Sequence, residues 1–186
     1  MDIVNSFETE ILNFLHNHLS CRILDAVMPV ITRFGDKGIF WIAVTLMLLL
    51  SKKQRKNGTA MAVALITGLI LGNLLLKNAV CRIRPYDFNA EIKPHLLIKE
   101  LSDYSFPSGH TLASFEAATV LMMGNRRLGI PALVLAFLIA FSRLYLYVHY
   151  PSDVLAGALL GTVIGIASYK ITDSFYKRRQ LKKAEK

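Results

Sequence analysis

The sequence predicts an all-α fold, a polytopic membrane helical bundle of about six membrane helices with an amphipathic helix at the N-terminus. Two observations predict this class. Hydrophobic residues make up 53% of the 186 residues, and the mean hydropathy is +0.41. Uncharged apolar stretches that approach the roughly 20 residues needed to cross a bilayer also recur along the chain. The predicted spans are 38–50, 58–76, 111–124, 129–148 and 154–171.

The first 20 residues have a different pattern from these spans. Ile3, Phe7 and Ile11 recur at helical spacing, whereas Glu8 lies elsewhere on the helical wheel. Such a pattern suits a helix that lies in the membrane interface, which we predict for residues 1–20. Residues 22–34 then form a sixth, partly embedded helix, or the two segments join as one bent crossing. The sequence does not decide between these alternatives.

Lysine and arginine residues are distributed unevenly between the predicted loops. They concentrate in residues 51–57, in Arg126 and Arg127, and in the tail 175–186. Because short basic loops stay on the cytoplasmic side, these segments are predicted to be cytoplasmic and residues 77–110 and 149–153 extracytoplasmic. The formal net charge of +9 therefore indicates topology and contact with anionic lipid. It does not indicate nucleic-acid binding, since the membrane domain, residues 21–174, leaves no soluble module for it.

Small residues recur at every fourth position in two of the predicted spans. Gly157, Gly161 and Gly165 do so in the last span, and Gly68 and Gly72 in an earlier one. Small residues at this spacing allow helices to approach closely in lipid. Packing within one chain is the preferred interpretation, and a homodimer face is the alternative.

Glu116 is an ionisable residue inside an otherwise apolar span. An unpaired charge at that depth costs several kcal/mol, so the side chain is predicted to face a cavity or a basic partner. A structural role is preferred over a catalytic one, because nothing near Glu116 in the sequence completes a site.

Polar residues form three clusters, and the predicted topology brings all three to the extracytoplasmic ends of the spans. The first cluster runs from Lys77 to Arg84 and Pro85, and the second is Pro107-Ser-Gly-His110. The third joins the last two spans and consists of Ser142, Arg143, His149 and Asp153. Any one of these residues alone has an ordinary structural explanation, such as an anchoring lysine or a helix start. Their convergence on one membrane face indicates a site.

The cationic members of these clusters suit phosphoryl transfer. The transferred group carries negative charge on its oxygens, which the fixed cations Lys77, Arg84 and Arg143 can stabilise. The arginine fork matches phosphate geometry with two parallel hydrogen bonds. The start of the helix at Ser108 and Gly109 adds backbone N–H donors and a hydroxyl.

The two histidines can divide the nucleophilic and proton-transfer work of such a reaction. One would attack phosphorus, and the other would donate a proton to the leaving oxygen. Asp153 lies four residues after His149 and can hold one ring nitrogen, so that the other presents its lone pair.

The three clusters resemble the signature of the type 2 phosphatidic acid phosphatases, which reads Lys-x6-Arg-Pro, Pro-Ser-Gly-His and Ser-Arg-x5-His-x3-Asp. The resemblance covers residues 58–172. It implies a six-helix membrane core, a site at the outer leaflet and hydrolysis through a phosphohistidine, without metal or cofactor. It makes His149 the nucleophile, Asp153 its partner and His110 the general acid. The phosphate-binding residues it implies are Lys77, Arg84, Ser108, Gly109 and Arg143.

The resemblance also implies a class of substrate and a membrane location. Vanadium haloperoxidases resemble the same pattern but are soluble, which the hydropathy argues against. A compact chain is similar to the bacterial members in the inner (plasma) membrane, so undecaprenyl pyrophosphate is the first choice of substrate. Phosphatidylglycerophosphate or phosphatidic acid is the second. A transporter that binds lipid phosphate without cleaving it is the alternative from another class, but His110, His149 and Asp153 exceed what binding requires.

Overall fold

The computed structural model describes residues 2–184, and within that range the chain forms helices and no β-strand. Nine α-helices follow one another. They are α1 (Asp2–Leu19), α2 (Arg22–Arg33), α3 (Ile39–Leu50), α4 (Arg55–Gly68), α5 (Lys77–Val80), α6 (Pro85–Phe88), α7 (Gly109–Gly124), α8 (Arg126–Tyr145) and α9 (Pro151–Ala184). The π-helical segment Leu69–Leu76 continues α4 into α5, and 3₁₀ turns occupy Asp36–Gly38 and Ala90–His95. The prediction of an all-α protein is confirmed. Met1, Glu185 and Lys186, at the ends of the predicted N-terminal helix and tail, lie outside the described residues.

Three helical stretches of the described chain are long and apolar enough to cross a membrane. They are Arg55–Phe88, Arg126–Tyr145 and Pro151–Lys182. They contain the predicted spans 58–76 and 154–171 and most of 129–148. The other two predicted spans correspond to α3, of 12 residues, and α7, of 16 residues, which are shorter than a full crossing.

The bundle is built around α7, which packs against α4, α8 and α9. Glycines allow α9 to approach α7 closely. A Cβ atom added to Gly157 would lie 2.8 Å from the carbonyl oxygen of Ser108, and one added to Gly161 would lie 2.5 Å from that of Leu112. No side chain larger than hydrogen fits at these distances without moving a helix. The glycine stripe therefore serves packing within one chain, and the homodimer stays a prediction.

Each long helix connects two chemically different ends of the bundle. At one end, called the basic end, α4 begins, α7 ends and the C-terminal half of α9 packs alongside. The Nζ atom of Lys56 lies 2.7 Å from a carboxylate oxygen of Asp173, and the side chain of Asn57 packs against Gly124. At the other end, called the cavity end, α7 and α9 begin together, and the backbone N–H of Ser108 donates to the carbonyl of Asp153 at 3.1 Å.

The two N-terminal helices pack at the cavity end. Helix α1 contacts α6, α8 and α9, and α2 lies against the last turns of α8. The polar side of α1 faces the protein, since Asn5 and Glu8 are buried while Phe7 and Phe14 are 64% and 60% exposed. A helix on the surface of a water-soluble protein packs its apolar face on the protein. Helix α1 has the opposite orientation, with its apolar face exposed. Helices α1 and α2 are separate elements, because residues 20–21 between them are not helical.

Candidate active site

A cavity of about 650 Å³ lies at the cavity end of the bundle. The 3₁₀ turn before α3, the π-helical segment, the start of α7 and the loop between α8 and α9 all contribute to its wall. Six of the eight residues that the sequence predicted for the site line this wall: Lys77, Arg84, Gly109, His110, Arg143 and His149. The three sequence clusters therefore converge in space.

His149 lies in the short loop between α8 and α9, where Tyr147 adopts a left-handed backbone conformation with φ of 60°. The ring is buried. Its Nδ1 atom lies 3.5 Å from Oδ2 of Asp153, and its Nε2 atom lies 3.4 Å from Nη1 of Arg84. Burial, followed by the positive charges of Arg84 and Arg143, lowers the pKa of His149 well below its usual range. The ring is therefore neutral at physiological pH and has a lone pair to offer.

Asp153 lies behind His149, in the first turn of α9, and is completely buried. Its Oδ2 atom accepts hydrogen bonds from Oγ of Ser105 at 2.5 Å and from the backbone N–H of Tyr150 at 2.9 Å. Its Oδ1 atom accepts from Nη1 of Arg82 at 2.6 Å. These donors fix the carboxylate at the Nδ1 side of the His149 ring, as the i, i+4 spacing predicted.

Asp103 bridges two of the predicted phosphate-binding cations. Its carboxylate forms ion pairs with Lys77 and, at 2.5 Å, with Nη2 of Arg84. Burial opposes ionisation of Asp103, but the hydrogen bond from Lys77 and the charge of Arg84 outweigh it and lower its pKa to about 2. Arg84 is further fixed by the carbonyl of Val148, which accepts from its Nη1 at 2.7 Å.

Arg143, the third predicted cation, is buried at the end of α8. Its Nη1 atom donates to Oγ1 of Thr32 at 2.5 Å. Its Nε and Nη2 atoms find no hydrogen-bond partner anywhere in residues 2–184. Because buried guanidinium N–H groups are costly to leave unpaired, the arrangement suits an anion in the cavity that Arg143 lines.

His110 lies in the first turn of α7, where its ring packs closely against Gly35. Its Nε2 atom lies 2.9 Å from Oδ1 of Asp36, in the 3₁₀ turn before α3. A Cβ atom added to Gly35 would lie 2.4 Å from the His110 ring, so a side chain at that position would displace it. The turn before α3 thus positions the second histidine.

Ser108 and Gly109 differ in their relation to the cavity. Gly109 lines it, next to the side chain of Asn73. The buried hydroxyl of Ser108 instead shares a hydrogen bond of 2.9 Å with Thr111. A role for the Ser108 hydroxyl in phosphate binding stays a prediction. The backbone N–H of Ser108, not its hydroxyl, joins the starts of α7 and α9 by donating to the carbonyl of Asp153.

Away from the cations, the cavity wall is apolar. Ile42, Leu65, Leu69 and Leu112 belong to this part, and Glu116 lies among them as an acidic exception. Glu116 therefore lies beside a cavity, as predicted, and packs against Gly68, where an added Cβ would lie 1.8 Å from Oε1. Within residues 2–184 no basic partner satisfies that oxygen.

Four contact residues of the site were missed by the sequence analysis: Asp36, Arg82, Asp103 and Ser105. Arg82 lies inside the first cluster but at a position that the signature leaves variable. Asp103 and Ser105 belong to the loop 86–106, whose composition alone gives no head-group or partner preference. Of the two loop residues, Ser105 carried the clearer signal, because it lies two residues before Pro107, the first residue of the second cluster.

Comparison with known proteins shows the family to which the chain belongs. The sequence profile of the PAP2 superfamily matches residues 57–177. An undecaprenyl-diphosphatase from Sulfolobus acidocaldarius is 34% identical over 96% of this chain and 85% of its own. The crystal structure of LpxE from Aquifex aeolicus superposes with a TM-score of 0.74 and 28% identity, covering 87% of this chain and 93% of that one.

A second solved structure gives a similar result. The crystal structure of the transmembrane PAP2-type phosphatidylglycerolphosphate phosphatase from Bacillus subtilis matches with a TM-score of 0.72 and 26% identity. It covers 96% of this chain and 88% of that chain. The profile match contains all three polar clusters and nearly coincides with the predicted range 58–172. The chain belongs to the PAP2 superfamily, the type 2 phosphatidic acid phosphatases.

Proposed function

We propose that this protein is a membrane pyrophosphatase that converts undecaprenyl pyrophosphate to undecaprenyl phosphate. One observation carries the proposal: a single cavity combines the three predicted phosphate-binding cations and two histidines with an apolar wall. The polar part suits a phosphate group, and the apolar part suits the first units of a prenyl chain. The 34% identical undecaprenyl-diphosphatase supports the choice of substrate.

The contacts of His149 support a covalent mechanism. The carboxylate of Asp153, 3.5 Å from Nδ1, favours a proton on that nitrogen. Nε2 then attacks the terminal phosphorus while the bond from phosphorus to the bridging oxygen breaks. The lipid monophosphate leaves with a proton from His110. Water then attacks the phosphohistidine, gives its proton to His110 and releases inorganic phosphate.

Lys77, Arg84 and Arg143 stabilise the charge that the transferred phosphoryl group carries in both steps. Arg143, whose Nε and Nη2 atoms have no partner within residues 2–184, and Arg84, whose Nη1 is held by a backbone carbonyl, line the cavity together with His149. Gly109 allows the phosphate to approach the start of α7, whose backbone N–H groups add donors. No metal takes part in this proposal.

A second candidate substrate is phosphatidylglycerophosphate. The similar structure from Bacillus subtilis, a phosphatidylglycerolphosphate phosphatase, favours it. Both substrates present a terminal phosphate at the end of an apolar chain, so the same catalytic residues serve either.

We further propose how the domain, residues 21–174, lies in the membrane. Helices α3, α4 with its continuation, α7, α8 and α9 cross, and α2 is the sixth, partly embedded helix. Helix α1 lies in the interface with its exposed phenylalanines in lipid. The basic end and the tail are cytoplasmic, and the cavity opens on the extracytoplasmic side of a bacterial plasma membrane.

Phosphate release by the purified protein tests the proposed function. The substrates are undecaprenyl pyrophosphate, phosphatidylglycerophosphate and phosphatidic acid, each in EDTA and with vanadate as inhibitor. We expect turnover in EDTA, inhibition by vanadate, and the highest kcat/KM on the pyrophosphate. A tenfold preference for phosphatidylglycerophosphate would replace the first substrate with the second. Strict dependence on magnesium, or binding without release, would contradict the mechanism.

A further inference from the structure

Arg82 connects the N-terminal helix to the carboxylate behind His149. Its Nη1 atom donates to Oδ1 of Asp153 at 2.6 Å. Its Nη2 atom forms an ion pair with Glu8 on α1. Its Nε and Nη2 atoms also donate to Oδ1 of Asn5, at 3.0 and 2.8 Å. One guanidinium thus spans three segments that are far apart in the sequence.

This connection is buried throughout. The side chains of Arg82, Glu8 and Asp153 are 6%, 7% and 0% exposed. The guanidinium stacks on the ring of Tyr150 at 3.9 Å, and Glu8 additionally accepts from the backbone N–H of Ser152 at 2.6 Å. Charges removed from water in this way are costly unless every partner is in place, so the loss of one partner disturbs the others.

The charges of the cluster are unequal, with one guanidinium for two carboxylates. Glu8 and Asp153 both form ion pairs with the guanidinium of Arg82. Arg82 therefore fixes the position of Asp153 without fully neutralising its negative charge. Asp153 keeps negative charge toward Nδ1 of His149. That charge favours the Nδ1–H tautomer and stabilises the positive charge that the ring gains when Nε2 binds phosphorus.

We propose that Glu8 and Arg82 are positioning residues that act through Asp153 on His149, so that α1 forms part of the catalytic apparatus. The proposal rests on the proposed function. Glu8→Gln keeps the shape of the side chain and removes one negative charge. Arg82 then pairs with Asp153 alone, and we expect kcat to fall on the order of tenfold with KM changed less than about twofold.

A double-mutant cycle with Asp153→Asn separates this role from simple support of the fold. Activity is measured on an activated aryl phosphate, which keeps the slow variants measurable. If Glu8 acts through Asp153, Glu8→Gln lowers kcat in the wild-type background and by less than about twofold in Asp153→Asn. Glu10→Gln, an exposed position on the same helix, is the matched control and leaves kcat unchanged.

Three outcomes of the kinetic measurements overturn the proposal: an equal loss of kcat in both backgrounds, an unchanged kcat in Glu8→Gln, or a loss confined to KM. A wild type that releases no phosphate contradicts the proposed function instead. In that case, nitrogen NMR of the His149 ring still tests whether Arg82 acts through Asp153. The same measurement replaces the kinetic assay if Glu8→Gln is too unstable for rate measurements. We expect the Nδ1–H tautomer in the wild type and a mixture in Arg82→Lys, and a tautomer that is the same in both overturns the proposal.

Discussion

The properties of His149 arise from residues that are distant in the sequence. Arg84 lies 3.4 Å from its Nε2 atom, and Asp153 lies 3.5 Å from its Nδ1 atom. Burial and the surrounding cations lower the pKa of His149 and favour the neutral ring, and in the proposed mechanism the carboxylate of Asp153 keeps the proton on Nδ1. A neutral ring with a defined tautomer is the state that a histidine nucleophile requires.

The roles of the two histidines predict different responses to the leaving group. His149→Ala should remove nearly all turnover on every substrate, because the covalent intermediate cannot form. His110→Ala should lower hydrolysis of phosphatidic acid by about 10²–10⁴-fold and that of an aryl phosphate least, since a nitrophenolate leaves without a proton. Steady-state rates on both substrates measure this. His95→Ala, an exposed histidine in the loop 86–106, is the control. The two roles would be exchanged if His149→Ala kept activity on the aryl phosphate while His110→Ala abolished both turnover and labelling.

The ion pairs of Asp103 predict that its replacement increases the affinity for substrate. Its carboxylate pairs with Lys77 and Arg84, so it competes with a phosphate group for both cations. Asp103→Asn should lower KM and the vanadate inhibition constant by about two- to fivefold, the range of a partly exposed ion pair. Its pKa of about 2 means that protonation relieves the competition only in strong acid, so the effect should be constant across neutral pH. Asp87→Asn, whose partner is Lys93, is the control. A higher KM in Asp103→Asn would instead make Asp103 part of substrate binding.

At the scale of the elements, the close approach of α7 and α9 sets the geometry of the site. Helix α7 carries His110 and α9 carries Asp153. The glycines of α9 allow the two helix axes to approach each other closely. On the other side of α7, the π-helical segment places Asn73 beside Gly109 and Leu112 against Gly72. Single π-helical turns often occur at functional sites, where they redirect a helix.

Because the α9 glycines Gly157, Gly161 and Gly165 contact α7, we expect a larger side chain at one of them to lower both stability and activity. Gly161→Leu would drive its side chain into the carbonyl of Leu112, and overpacking of this kind costs about 1–3 kcal/mol. We expect a lower midpoint of thermal unfolding in detergent and reduced kcat, because α7 moves. Ala167→Leu, an exposed position on the same helix, should change neither. Unfolding midpoints that are equal in the two variants would show that α7 and α9 are separated in the membrane.

The elements also show what the sequence could and could not predict. Apolar runs predicted α3, α4, α8 and α9 well, because lipid selects long apolar segments whatever the tertiary packing. The burial of the polar side of α1 was not predicted. A helical wheel separates two faces but does not say which one packs on the protein, and the partner of Glu8, Arg82, is 74 residues away. The eight signature residues could be found from spacing, whereas Asp36, Asp103 and Ser105 depend on how loops fold over them.

The whole molecule has chemically opposite ends, which predicts its orientation. Basic residues surround the turns at the start of α4 and between α7 and α8, and the cavity lies at the other end. Cysteine labelling of intact cells tests this in a background without the exposed Cys21 and Cys81. A cysteine at Lys99 should react with an impermeant reagent, and one at Lys53 only after permeabilisation. The reverse pattern would place the cavity in the cytoplasm.

Trapping of the phosphoenzyme tests most directly whether one end of this membrane bundle hydrolyses lipid phosphates through His149. Purified protein is mixed with terminally labelled undecaprenyl pyrophosphate and quenched in alkaline detergent, which preserves phosphohistidine. Peptide mass spectrometry then locates the label. We expect phosphate on His149, its absence in His149→Ala, and its accumulation in His110→Ala with an activated aryl phosphate, because His110 also activates the water. Turnover without label in the wild type, or label on His110, would contradict this mechanism.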